Sequence, residues 1–172
     1  VGQTDRFVGR DKAKAGEYIY ISSNLGLSKA GLELILMNKD SYEEFEKQLI
    51  QKHYRPKARI DLLEKVKLSS SCIDISDGLV SDLGHISEKS KVKIVIEKEK
   101  LPIDERLKMF CQKYNKDPYE YILYSGEEYE LALTSNKDLD LIKIGYVEEG
   151  EGVYLKTQGK LQKLDNKGFR HF

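Results

Sequence analysis

The stretch Ser71-Cys72-Ile73-Asp74-Ile75-Ser76-Asp77-Gly78-Leu79 decides how this chain is read. Its first half alternates apolar residues and is β-prone. The apolar residues of 79–86 that follow recur at helical spacing. Asp74, Ser76, Asp77 and Gly78 therefore stand on or beside a strand-to-helix turn. Such a turn offers the free backbone N–H groups of a helix N-terminus, and carboxylates there can hold hard cations. The combination suits a phosphate bound through Mg²⁺. A plainer reading makes Asp77 a helix cap and Asp74 a turn residue, and spacing alone does not separate the two.

Upstream, Glu17-Tyr18-Ile19-Tyr20-Ile21 reads as a strand bounded by Gly16 and by Ser22-Ser23-Asn24. Ser28 is expected to cap a helix through Leu32, Ile35 and Leu36. Ser41 with Glu44 forms a capping-box pattern for a helix reaching about His53, which Arg55-Pro56 ends. A short helix through Leu62, Leu63 and Val66 then leads into the strand at Ile73. Downstream of the 79–90 helix, residues 92–96 read as an inner strand. Asp104 caps a helix through Leu107, Phe110 and Tyr114, and Pro118 opens another at its first position. Residues 129–133 read as a strand or a short helix, and 141–147 and 153–155 as strands, some antiparallel across short loops. Helices and strands interleave without repeats or low-complexity linkers. This predicts a single α/β (α+β) domain with a mixed β-sheet flanked by helices.

Composition narrows the classes. The 172 residues carry 29 Lys plus Arg and 29 Asp plus Glu, so no net basic field draws the chain to nucleic acid or acidic lipid. Cys72 and Cys111 lie far apart in unlike settings, which argues against a disulfide framework or a zinc site and for a reducing, cytoplasmic location. No signal peptide and no apolar run of membrane-spanning length is present. The chain starts at Val1 without a methionine, which reads as a cut within a longer protein or as a tag-cleaved product.

Other candidate residues are weaker by themselves. Arg6 and Arg10 flank Gly9, and an arginine there can contact phosphate bidentately or decorate a loop. Glu127, Glu128 and Glu130 follow the Ser125-Gly126 turn and can grip a hydrogen-bond-donating ligand or form an ordinary solvated turn. His53 and His85 lack partners at metal-ligand spacing and read as structural or surface residues. No Gly-Lys-Ser/Thr loop, nucleophile elbow, HExxH or GxGxxG is present.

Several stretches, taken in order, carry a resemblance. They are Gly9-Arg10-Asp11-Lys12-Ala13-Lys14-Ala15-Gly16-Glu17, Leu25-Gly26 with Ala30-Gly31-Leu32-Glu33-Leu34, Arg55-Pro56 and Ala58-Arg59. The order continues with Asp74-Ile75-Ser76-Asp77-Gly78-Leu79-Val80-Ser81-Asp82-Leu83, Leu101-Pro102, Gly126-Glu127-Glu128-Tyr129-Glu130-Leu131 and Gly168-Phe169-Arg170-His171-Phe172. Together these resemble thiamine-monophosphate kinase, a family of the aminoimidazole ribonucleotide synthetase superfamily. The resemblance runs the length of the chain but covers only the C-terminal half or so of the family's usual sequence. It implies that residues 1–172 form a C-terminal domain, with the N-terminal ATP-binding and dimerisation domain absent from this chain.

The resemblance further implies an ATP- and Mg²⁺-dependent transfer of phosphate onto thiamine monophosphate, giving thiamine diphosphate in a full-length homodimer. Carried over by position, it makes Asp74 and Asp77 Mg²⁺ ligands, and Arg10 and Ser76 ATP contacts. Glu127 is placed on the substrate's aminopyrimidine side and Phe169 at a substrate-stacking position. Leu27, Ser125, Glu128 and Phe169 depart from the residues common in the family; in particular, Glu128 is longer than the usual Asp. A non-catalytic binding module and a sister ATP-dependent enzyme with another acceptor stay open beside the kinase reading.

Overall fold

The computed structural model describes residues 6–165. Among them, seven strands form one mixed sheet: β1 (Tyr18–Ile21), β2 (Ser71–Ile75), β3 (Val92–Glu97), β4 (Glu130–Ser135), β5 (Ile142–Glu149), β6 (Gly152–Thr157) and β7 (Lys160–Lys163). Their order across the sheet is β2-β4-β1-β5-β3-β6-β7. Neighbours run antiparallel except β3 and β6, which are parallel. The six helices of the same residues are α1 (Leu27–Met37), α2 (Glu44–Tyr54), α3 (Leu63–Leu68), α4 (Leu79–Ser90), α5 (Glu105–Tyr114) and α6 (Pro118–Tyr124). The mixed α/β architecture expected from the alternation of patterns is present.

Side-chain alternation divides the sheet into two unequal faces. Ile19 and Ile21 of β1, Ile73 and Ile75 of β2, and Ala132 of β4 join the main core with residues of α1, α2, α4, α5 and α6. The intervening Tyr20, Cys72, Leu131 and Leu133 turn the other way, into a small cluster closed by Val66 of α3 and Leu139. Farther along this second face the lysines lie over tyrosine rings, with Lys143 on Tyr18, Lys156 on Tyr146 and Lys93 on Tyr154. One face is a deep helix-covered core, and the other is thinly covered.

Local caps differ from two sequence expectations. Ser28 does not cap α1: the cap position is Gly26, in the left-handed region at φ 87°, with no side-chain cap. The Ser28 hydroxyl instead meets His53 Nδ1 at 2.9 Å. The capping box of α2 joins Glu43 and Glu46 rather than Ser41 and Glu44, with the Glu43 N–H donating to Glu46 Oε2 at 2.8 Å. That same Glu46 is buried against Lys39, Lys113 and Tyr114. Burial pushes its carboxyl up, but Lys39 and its other partners outweigh this and hold it at about 2. The other caps follow the sequence: Asp104 Oδ1 accepts from the Arg106 N–H at 2.9 Å, and Asp117 Oδ1 from the Tyr119 N–H at 2.9 Å, ahead of Pro118.

Candidate functional site

The β2–α4 turn is built by one buried carboxylate. Asp82, in the first turn of α4, is 2% exposed, and its Oδ2 accepts from the backbone N–H groups of Ser76, Asp77 and Gly78 at 3.0, 3.0 and 3.2 Å. Burial pushes its carboxyl up to about 6, and the Asp77 charge adds to this, while the three N–H donors work against it. Asp77 therefore does not cap the helix. The cap position is Gly78, at φ 116°, where a Cβ would lie 3.1 Å from the Tyr124 carbonyl carbon. With Asp82 satisfying the turn's donors, Asp77 is left exposed. Asp74 is exposed as well, on the thin side of β2 directly across from Leu131 of β4.

Arg10, Cys72, Asp74, Ser76, Asp77, Asp82, His85 and Leu131 line one open cleft of about 450 Å³. Four of the residues singled out from the sequence thus share a single space: Arg10, Asp74, Ser76 and Asp77. Oxygen ligands converge there beside one cationic side chain, which suits a metal-chelated phosphate. His85 corrects the sequence reading: it does have partners, because ligand atoms of Asp77, Asp82 and His85 all lie within 4.8 Å of one another. The signal lay in the i, i+3 spacing of Asp82 and His85, which puts both on one side of α4.

The acidic 125–130 segment reaches the same turn through its backbone. The Glu127 N–H donates to the Ser76 carbonyl at 2.8 Å and the Tyr129 N–H to the Ile75 carbonyl at 2.9 Å. Both residues are left-handed, at φ 57° and 53°. The Glu127 side chain points away from the cleft, into a cavity of about 10 Å³ shared with Ser28, Lys29, Leu32, Gly126 and His53. There its Oε2 is 4.0 Å from His53 Nδ1. Glu127 is thus beside the β2–α4 turn without lining its cleft. The Phe169 position lies outside the described residues.

Neither Glu128 nor Glu130 is a solvated turn residue. Glu130 accepts from Lys52 Nζ at 2.7 Å, Arg59 at 2.6 Å and the Ser22 hydroxyl at 2.6 Å. Burial raises its pKa, but Lys52, Ser22 and Arg59 outweigh that and leave it below the ordinary glutamate value. Glu128 is 1% exposed, and its Oε1 accepts from the Ser28 N–H at 3.0 Å and the Ser125 hydroxyl at 2.9 Å. Ser125, one of the departures, is thereby a hydrogen-bond partner of Glu128, itself another. Leu27, a third, is a buried core residue at the start of α1.

Comparison with known proteins places this geometry. The family described as AIR synthase related protein, C-terminal domain, matches residues 14–157. A thiamine-monophosphate kinase of Aquifex aeolicus is 51% identical over 178 aligned residues, covering 100% of this chain and 57% of that protein. One from Pyrococcus horikoshii is 36% identical, covering 99% of this chain and 55% of its own length. A solved structure described as AaThiL complexed with AMPPCP and TMP superposes with a TM-score of 0.90 at 50% identity, covering 98% of this chain and 55% of that one. The chain thus spans little more than half the length of the curated relatives it matches.

Proposed function

This chain belongs to the AIR synthase related family, as a C-terminal domain, and we propose that it is the C-terminal part of a thiamine-monophosphate kinase. The complete polypeptide would move the γ-phosphoryl of ATP onto the phosphate of thiamine monophosphate, giving thiamine diphosphate and ADP. The observation that carries this reading is the convergence of Arg10, Asp74, Ser76 and Asp77 on one cleft, with the 125–130 segment hydrogen-bonded to the same turn. The extended similarity to thiamine-monophosphate kinases supports the choice of substrates, and so does the neighbour bound to AMPPCP and TMP.

In this reading Asp74 and Asp77 would hold Mg²⁺, and the donor set fits: two exposed carboxylates facing one open, polar cleft. The ion would supply neutralisation of crowded phosphate oxygens. Arg10 would bind phosphate as a planar fork, and Ser76 would contact the nucleotide from the turn. Glu127 would accept hydrogen bonds from the aminopyrimidine of thiamine monophosphate, with Phe169 stacking on the ring. Phosphoryl transfer needs alignment and charge neutralisation more than covalent help, so the protein's task is to hold two anions in register.

The other part of the active site would come from an N-terminal domain, through which a full-length homodimer would form. An apolar rim of Ile60, Leu63 and Val66 borders the cleft and shares Leu131 with it. Ile60 is 86% exposed and Leu63 56%, which suits a surface that a further domain covers. A cytoplasmic enzyme is the matching location; among the described residues no helix is long and apolar enough to cross a membrane.

The test is formation of thiamine diphosphate from ATP and thiamine monophosphate by the full-length polypeptide, with and without Mg²⁺. Product that depends on Mg²⁺ and is lost in Asp77→Asn supports the reading. A folded full-length protein that makes no product overturns it.

A further inference from the structure

We propose that Glu128 is a positioning residue: by fastening the 125–130 segment to the N-terminal turn of α1, it fixes the left-handed backbone on either side and so sets where the Glu127 side chain stands. For the ligand's identity the inference rests on the kinase reading. For the geometry it stands on this chain alone.

Buried carboxylates are normally paired with a cation or fully hydrogen-bonded. Glu128 is neither. One oxygen takes the Ser28 N–H and the Ser125 hydroxyl, and the other, Oε2, is buried with no partner. Its neighbours are no more relaxed, since Glu127 and Tyr129 are non-glycine residues held at φ 57° and 53°. Three consecutive residues therefore carry local cost, and such cost persists where surrounding structure imposes it.

The surrounding structure pins the segment from two directions. On one side, the N–H groups of Glu127 and Tyr129 are tied to the Ser76 and Ile75 carbonyls of the β2–α4 turn. On the other, the Glu128 side chain reaches an orphan N–H of the first turn of α1, a donor that no side chain of α1 itself satisfies. With both ties made, Glu127 is forced to point toward His53 and Ser28. With the Glu128 tie removed, the segment is held from the β2–α4 side alone. The left-handed backbone of Glu127 and Tyr129 then keeps only its ties to the β2–α4 turn and loses the other support that imposes it. A carboxylate that only capped α1 would support the helix without controlling the residues beside it.

The experiment uses the full-length polypeptide carrying Glu128→Ala, Glu128→Gln or Ser125→Ala, with two readouts. The first is amide hydrogen exchange at Glu127 and Tyr129 relative to α4. Glu128→Ala is expected to lower protection at both by about tenfold or more, with α4 unchanged. Glu128→Gln keeps an acceptor for the Ser28 N–H and should stay within about threefold of the parent. The second readout is steady-state kinetics: Glu128→Ala should raise KM for thiamine monophosphate by about tenfold, with KM for ATP within about twofold, and Glu128→Gln should rescue it. If Glu128→Ala does not fold, Ser125→Ala, which removes one donor to the same oxygen, should show about a threefold change in the same direction.

Unchanged protection at Glu127 and Tyr129 in the alanine variants overturns the inference, as do equal rises in KM for both substrates. A parent protein without kinase activity would sink the kinase reading alone, since exchange still decides what Glu128 does.

Discussion

At the scale of single residues, the candidate site is a division of labour among carboxylates. Asp82 and Glu128 are buried and hold backbone N–H groups, Glu130 is buried between two cations, Asp74 and Asp77 are exposed on the cleft, and Glu127 stands beside His53. Asp77→Asn keeps the shape of the side chain and removes its charge, so it should cut ATP-dependent turnover at least about tenfold with little change in stability. Parallel measurement of turnover and of the unfolding midpoint checks this. Glu128 adds a stability prediction. Burial pushes its carboxyl up to about 7 against the opposing pull of Ser125, the Ser28 N–H and the Lys52 charge, while an unfolded glutamate titrates near its ordinary value. A folded pKa raised above the unfolded one means that the parent is favoured at low pH and loses stability as pH rises between the two values. Glu128→Gln abolishes that loss. Denaturation between pH 4.5 and 8 should show the parent falling relative to Glu128→Gln by on the order of 2 kcal/mol. Equal pH dependence of the two would refute it. Of this site, Asp74, Ser76 and Asp77 were legible in the sequence because a strand-to-helix change brackets the acidic motif, whereas Arg10 was singled out only by the family resemblance. The roles of Asp82 and Glu128 were not, because nothing in spacing tells a carboxylate that binds a ligand from one that binds the backbone.

Elements were legible where a residue's effect is local. The 79–90 helix, the caps at Asp104 and Asp117, and the break at Arg55-Pro56 each depend on neighbours a few residues away, and each was found where the sequence put it. Strand β7 was not foreseen: Lys160, Leu161, Gln162 and Lys163 are all exposed, so no apolar alternation marks it, and only its pairing to β6 makes it a strand. The cap of α1 failed for the opposite reason, since its partner sits a hundred residues away in Glu128. The α1–α2 pair offers a test of packing at this scale. A Cβ on Gly31 would fall 2.2 Å from the Leu49 carbonyl oxygen, a contact with backbone that no rotamer change relieves. Gly31→Ala should therefore destabilise the domain by about 2 kcal/mol or more despite the better helix propensity of alanine. Chemical denaturation measures it, and a neutral or stabilising result would mean that the two helices separate more easily than their contact suggests.

The whole molecule is lopsided: one face of the sheet is buried under five helices, and the other carries a small cluster and an apolar rim. No periodicity in the sequence announced that imbalance, because both faces supply alternating apolar residues and only the count of covering helices differs. Replacing Ile60 and Leu63 by glutamate together removes apolar surface that the domain itself does not bury. The expected outcome is an unfolding free energy of the 172-residue chain changed by no more than about 0.5 kcal/mol, with reduced turnover in the full-length polypeptide. A large loss of stability in the chain alone would show that the rim supports this domain rather than a neighbour. The seam between residues 75–76 and 127–129 has a consequence at the same scale. Two amide-to-carbonyl contacts join the 125–130 segment, which in the proposed reading faces the acceptor, to the β2–α4 turn, which in that reading faces the donor's phosphates. The gap between the two reactants is then a fixed gauge, set once when the chain folds. If the proposed reading holds, thermal wandering of either loop alone would change it little, so part of the orientational entropy of bringing two phosphates into line would be spent before either substrate arrives.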